Sequence, residues 1–203
     1  MKEHLFKYSP AFLKLIEPSL GLKDLLVSSS FGGNFEGWEK RKGFISRAIH
    51  KPGSFFDVGC GNGFLIRCLQ EWSDYELIPY GIDINETFVK KARQLFSNYG
   101  YGSNFAVLDA KQVSKLTTSG LPNKFDFVYL SNDWTQYPMP DAKVLITNML
   151  SLVKPGGRLI FGFYNEDKDK NLEATRKLQT GGIRFSDTLE NPYGTNLISW
   201  INS

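Results

Sequence analysis

The 203-residue chain is predicted to fold as an α/β domain. The expected core is a doubly wound, mostly parallel sheet of seven strands with a C-terminal antiparallel hairpin, preceded by N-terminal helices. Three observations predict it. From residue 54 onward, short apolar runs alternate with helix-periodic segments, the pattern of a parallel sheet covered on both faces. The first run ends in Asp57 and passes through Gly59, Gly61 and Gly63 directly into a helical segment. The last two runs flank Asn191-Pro192-Tyr193-Gly194, a turn-forming sequence suited to a hairpin.

The elements follow in order. Residues 5–27 are apolar at helical spacing and broken near Pro18–Gly21. Residues 28–37 are rich in Ser, Gly and Asn and read as a loop. A helix is expected from Trp38 to His50, stopped by Pro52-Gly53. Strand one is 54–58, followed by a helix over 64–72. Strand two is 77–83, and a helix over 86–98 carries Phe88, Val89, Ala92, Leu95 and Phe96. Strand three is 104–108. A polar connection leads to strand four, 125–130, and a helix over 141–153. Pro155-Gly156-Gly157 is expected to turn into strand five, 158–164. A charged helix covers 168–180, and the closing strands are 183–188 and 196–201. The simplest organisation is one domain: an N-terminal helical cap (1–52), a core (53–164), and a last helix with closing strands (165–203).

Composition narrows the function. The apolar and charged fractions, 41% and 22%, are those of a globular protein. No apolar run reaches the roughly 20 residues that span a bilayer, and residues 1–20 lack a signal-like apolar stretch. A cytoplasmic location without membrane contact is the expectation. Cys60 and Cys68 lack the spacing of a metal site or a disulfide framework and read as buried thiols. His4 and His50 read as surface residues, and no metal ligands are expected. Net charge is +3, and residues 1–52 hold nine Lys/Arg against five Asp/Glu. That basic segment reads as a solvated face, with contact to nucleic acid or an acidic partner as the alternative.

The glycine turn carries the chemistry. Glycines at 59, 61 and 63 allow close backbone approach to a ligand, and the following helix aims its amide groups at the turn. The fingerprint of dinucleotide sites, G-x-G-x-x-G, needs glycine where Phe64 stands, and the Asp57 carboxylate would repel a pyrophosphate. Asp83 ends strand two, where a carboxylate can accept from both ribose hydroxyls of an adenosine ligand, with Ile84 beside it for the adenine face. Asp109 and Ala110 follow strand three. Ser131-Asn132-Asp133-Trp134 follow strand four, at the sheet end where open α/β sheets bind ligands.

Taken together, Asp57-Val58-Gly59-Cys60-Gly61-Asn62-Gly63, Asp83-Ile84, Leu108-Asp109-Ala110 and Leu152-Val153-Lys154-Pro155-Gly156-Gly157 resemble the class I S-adenosylmethionine-dependent methyltransferases, over residues 54–164. The resemblance implies a Rossmann-like fold and S-adenosylmethionine as cofactor, with S-adenosylhomocysteine as product. It implies that Asp57, Gly59, Cys60, Gly61 and Gly63 surround the methionine end. Asp83 and Ile84 would hold the ribose and adenine. Asp109 would accept from the adenine amino group while the Ala110 amide donates to the ring. Ser131 would complete the cofactor site. Asp133, Asn132 and Tyr137 are the candidate catalytic residues: Asp133 or Tyr137 as a base, Asn132 to orient an acceptor.

A small-molecule acceptor is the expectation, with Phe31, Phe35, Trp38, Trp134 and Tyr137 as candidate walls. RNA or protein substrates, and a non-catalytic binder of the cofactor or of a partner chain, are the alternatives; a nucleotide-dependent oxidoreductase is more remote. The Asn/Asp-Pro-Pro-aromatic run of many adenine- and glutamine-methylating enzymes is absent after strand four. No insertion between strands five and seven is long enough for a recognition domain. The oligomeric state is left open.

Overall fold

The computed structural model describes residues 5–17, 21–29 and 31–203. One seven-stranded sheet has the order β3-β2-β1-β4-β5-β7-β6. Its strands are β1 (Gly53–Val58), β2 (Leu77–Asp83), β3 (Phe105–Val107), β4 (Phe125–Ser131), β5 (Val153–Phe163), β6 (Asp187–Glu190) and β7 (Leu197–Asn202). The first five run parallel, and β7 is antiparallel to both β5 and β6. The chain therefore reverses its direction across the sheet between β1 and β4. That is the crevice where doubly wound folds bind ligands.

Side-chain alternation assigns the two faces. Phe55, Phe127 and Tyr129 point into one core with the N-terminal helices. Phe56, Val128 and Leu130 point into the other. Phe125 and Phe127 lie on opposite faces despite their even spacing, because the β4–β5 register slips between them. The slip puts Phe125 on the Phe56 ring at a centroid distance of 4.3 Å.

The helices are α1 (Pro10–Leu15), α2 (Leu22–Val27), α3 (Phe35–Lys42), α4 (Phe64–Trp72), α5 (Glu86–Ser97), α6 (Met139–Leu150) and α7 (Lys168–Thr180). Asn85 caps α5 and Asp167 caps α7 through their side chains. Three expectations change. The helix expected at Trp38–His50 starts earlier, because the Asn34 side chain caps it at Gly37 N–H, and it tightens into a 3₁₀ segment at Gly43–Ala48. Pro155-Gly156-Gly157 does not precede β5 but bulges within it, with Gly156 at φ 70°. The first closing strand begins at Asp187 rather than at residue 183. The expected break at residues 18–20, and His4, lie outside the described residues. His50 is exposed and both cysteines are buried. Among the described residues no helix is long and apolar enough to cross a membrane, and no cluster of side chains could hold a metal ion.

Candidate active site

The glycine turn is held by backbone N–H groups that donate to Ile82 O and to the Asp83 carboxylate. Gly59 N–H and Cys60 N–H both donate to Ile82 O, at 2.8 and 2.9 Å. Gly61 N–H donates to the Asp83 carboxylate at 2.9 Å, and Asn85 N–H to its other oxygen at 2.8 Å. Gly59 takes φ 81°, and a Cβ there would meet nothing within 4 Å. It would project into open space that a ligand can fill. Gly63 differs, since a Cβ there would lie 3.0 Å from the Phe96 ring. Its role is to let α4 pack on α5, and it does not line the cavity. The Cys60 side chain faces Gly81, so Cys60 meets the cavity at the turn itself, and burial pushes its thiol well up.

Three cavities meet at the C-terminal edge of the sheet. The first, about 180 Å³, lies between Asp57, the glycine turn, Asp83, Lys42, Tyr129 and Ser28-Ser29. The second, about 280 Å³, runs from Asp83 past Ile84 to Asp109, Ala110 and Leu145. The third, about 420 Å³, lies between the end of β4, the end of β5 and α7, with Asn132, Asp133, Trp134, Tyr164 and Lys170 in its wall. Ser131 lines all three. Ile84 is 73% exposed, an apolar surface beside the ribose-binding candidate Asp83. The Asp109 carboxylate accepts from Lys111 N–H at 2.8 Å and caps the 3₁₀ turn that begins at Ala110.

The electrostatics of the first cavity depend on two charges. Asp57 is 3% exposed. Desolvation pushes its carboxyl up to about 7, with Lys42 opposing and Asp83 adding to the rise. Lys42 ends α3 and is itself pushed down to about 7, by desolvation first and then by Arg41. Its ammonium stands 3.0 Å from the centre of the Tyr164 ring. Among the described residues it makes no hydrogen bond or ion pair. The cavity thus holds a buried acid on one side and, on the other, a lysine that attracts it without a direct ion pair.

Asn62 ties the N-terminal helices to this turn. Its Oδ1 accepts from Phe64 N–H at 3.0 Å and Ser29 Oγ–H at 2.9 Å, while its Nδ2 donates to Leu25 O at 2.8 Å. Lys91 adds a 2.9 Å bond to Ser28 Oγ.

The candidate residues separate in space. Asn132 and Asp133 line the third cavity, and the Asp133 carboxylate also accepts from Thr135 N–H at 3.2 Å and from its hydroxyl. Tyr137 lies outside this cavity and packs into the second core. Of the expected aromatic walls, only Trp134 lines it. Phe35 is buried under the N-terminal helices, Trp38 lines the first cavity, and Phe31 packs against Trp38 at a centroid distance of 5.6 Å. Sequence reading missed Lys42, Tyr129 and Tyr164. Tyr129 had a usable signal, because it pairs with Asp57 in parallel register and so shares its face. Lys42 and Tyr164 had none, since 122 positions separate them in the chain.

An open sheet of this order, with acids at the ends of β1 and β2 around a glycine turn, defines a Rossmann-like protein whose crevice is suited to an adenosine ligand. More particularly, residues 55–157 match the model of the methyltransferase domain family, and the chain belongs to that family. It is 27% identical over 125 residues to a ubiquinone biosynthesis O-methyltransferase of Coxiella burnetii, covering 61% of this chain and 49% of that one. It is 34% identical over 122 residues to a 2-methyl-6-phytyl-1,4-hydroquinone methyltransferase of Synechocystis, covering 60% of this chain and 35% of that one. The chain spans about half the length, or less, of these relatives. Its fold matches that of a SAM-dependent methyltransferase from Aquifex aeolicus with a TM-score of 0.55 and 19% identity, over 96% of this chain and 98% of that one. The cofactor of this domain is S-adenosylmethionine. The residues present are compatible with it: the Asp57 carboxyl and the Lys42 amine suit an amino-acid end, and Asp83, Ile84 and Asp109 suit an adenosine.

Proposed function

We propose that the protein transfers a methyl group from S-adenosylmethionine to a small-molecule acceptor. The observation that carries this reading is Ser131, the one residue shared by all three cavities. The cofactor would lie along the first and second cavities, and the acceptor would enter through the third. An acceptor cavity of about 420 Å³ suits a small molecule, in keeping with the quinone-pathway names of two relatives.

The cofactor, when bound, would supply an activated methyl group, and Ser131 stands where its cavities meet the acceptor's. Asp57 and Lys42 would hold its amino-acid end, Asp83 its ribose, and Ile84, Asp109 and Ala110 its adenine. Asp83 has a second duty, because its carboxylate also braces the glycine turn. Tyr129 and Tyr164, joined hydroxyl to hydroxyl at 3.0 Å, line the first and third cavities respectively. They form a wall that keeps water from the junction and orients what crosses it. Asn132 would orient the acceptor, and the Asp133 oxygen not used by its own turn would take a proton from it.

Calorimetric titration tests the reading. S-adenosylmethionine and S-adenosylhomocysteine are expected to bind in the micromolar range and NAD not to bind. Asp83→Ala is expected to weaken both sulfur ligands by about a hundredfold or more, since it removes charge-assisted hydrogen bonds worth about 1.5–3 kcal/mol each. Unchanged affinity in that variant would refute the site.

A further inference from the structure

The third cavity has a donor-rich wall with little to receive its protons. Three lysines bear on the argument along α7. Lys168 pairs with Glu190 at 2.6 Å, and Lys177 donates to Thr135 O and Tyr137 O at 2.6 and 3.0 Å. Lys170, the one that lines the cavity, has neither an ion pair nor a hydrogen bond among the described residues. Two amides repeat the pattern. Asn132 Oδ1 accepts from Asp133 N–H at 2.9 Å, and Asn165 Oδ1 from Asp167 N–H at 3.0 Å. Each amide therefore spends its oxygen on the backbone, and its NH₂ has no partner among the described residues. The only carboxylate in the lining, Asp133, has one oxygen engaged by its own turn. The rest of the lining combines three aromatic residues, Trp134, Phe163 and Tyr164, with Ser131, Thr135, Asn171 and Ala174.

Donors without a protein partner, set around a partly aromatic concavity, suit an anionic ligand with a planar body. The volume, about 420 Å³, exceeds the roughly 150 Å³ that encloses a benzene ring, which leaves room for substituents. We propose that the methyl acceptor is a small aromatic acid whose carboxylate is received by Lys170 with the Asn132 and Asn165 amides. This rests on the methyltransferase reading and adds the acceptor's chemical class.

Matched acids and amides test it. Benzoate against benzamide, and para-hydroxybenzoate against para-hydroxybenzamide, are titrated into the protein saturated with S-adenosylhomocysteine and followed by ligand-observed NMR. The acids are expected to bind about tenfold or more tightly than the amides. Lys170→Met is expected to abolish that preference and Lys170→Arg to restore most of it, with S-adenosylhomocysteine affinity the same in all three proteins. That constancy also reports that the exposed Lys170 position tolerates both changes. Equal binding of acid and amide by the wild type, absence of acid binding, or a preference that survives Lys170→Met would overturn the inference while leaving the cofactor reading intact. Failure of the wild type to bind S-adenosylhomocysteine would overturn both.

Discussion

The Lys42 ammonium stands over the Tyr164 ring, 3.0 Å from its centre. The relationship joins the last residue of α3 to the residue just after β5, across the mouth of the glycine turn. Aromatic faces attract cations without neutralising them, so the charge is held in place and still available to a ligand carboxylate. Lys42→Met is therefore expected to weaken S-adenosylhomocysteine binding by about ten- to a hundredfold, the loss of one charged hydrogen bond. Adenosine, which lacks the amino-acid end, should bind both proteins alike. Equal losses for both ligands would place Lys42 elsewhere in the site.

The same two charges predict a pH profile. Lys42 and Asp57 both titrate near about 7 in the free chain. A ligand with an ammonium and a carboxylate needs Asp57 ionised and Lys42 protonated. Below about 7 binding must expel a proton from Asp57, and above it binding must supply one to Lys42. Affinity should thus peak near neutrality and fall on both sides, with proton release on the acid limb and proton uptake on the alkaline limb. Calorimetry in buffers of different ionisation enthalpy reads both. A flat profile would dissociate these groups from the cofactor.

Asp133→Asn keeps an oxygen to accept from Thr135 and removes the base. S-adenosylhomocysteine affinity is expected to be unchanged, while kcat falls by about 10²-fold or more if Asp133 takes the acceptor's proton. An unaltered kcat would reduce Asp133 to a residue of its own turn.

Asp126 carries a stability prediction away from the site. Its carboxylate accepts from Ser54 N–H and Oγ–H at 2.9 and 2.8 Å and pairs with Lys154 at 2.9 Å and Lys51 at 3.3 Å. Although burial opposes ionisation, the Lys154 bond and the Ser54 bonds together hold the carboxyl well below its usual range. A depressed folded value means that the stabilisation is present above the unfolded carboxylate pKa of about 3.9 and is lost as pH falls below it. Asp126→Asn should cost about 2 kcal/mol in urea melts at neutral pH, and the gap to the wild type should narrow in acid. A gap independent of pH would assign the loss to packing instead.

The readable part of the site is the part that each βα unit carries within itself. Asp57 and Asp83 stand at the ends of β1 and β2, with the glycines and Ile84 just beyond, and Asp109 with Ala110 comes just after β3, so alternation and turn chemistry place them at one sheet edge. Gly63 shows the limit of that reasoning, since its glycine serves helix packing against Phe96 and Ala92. The bulge at Gly156 shows another. A Lys-Pro-Gly-Gly sequence has the composition of a turn, yet pairing of both its flanks with β4 absorbs it into one strand.

By itself, the sequence determined the alternation of strands and helices, the two-sided core, and the acids and glycines that meet at one end of the sheet. These depend on periodicity and on neighbours a few residues apart. Tertiary structure alone decided the rest: Lys42 against Tyr164, Asn62 against α2, and the donor-lined cavity of Asn132, Asn165 and Lys170. Those groups come from elements far apart in the chain, and only the order β1-β4-β5 with helices packed on both faces brings their side chains within reach. Local propensity carries no record of that ordering, whereas burial of both sheet faces enforces it.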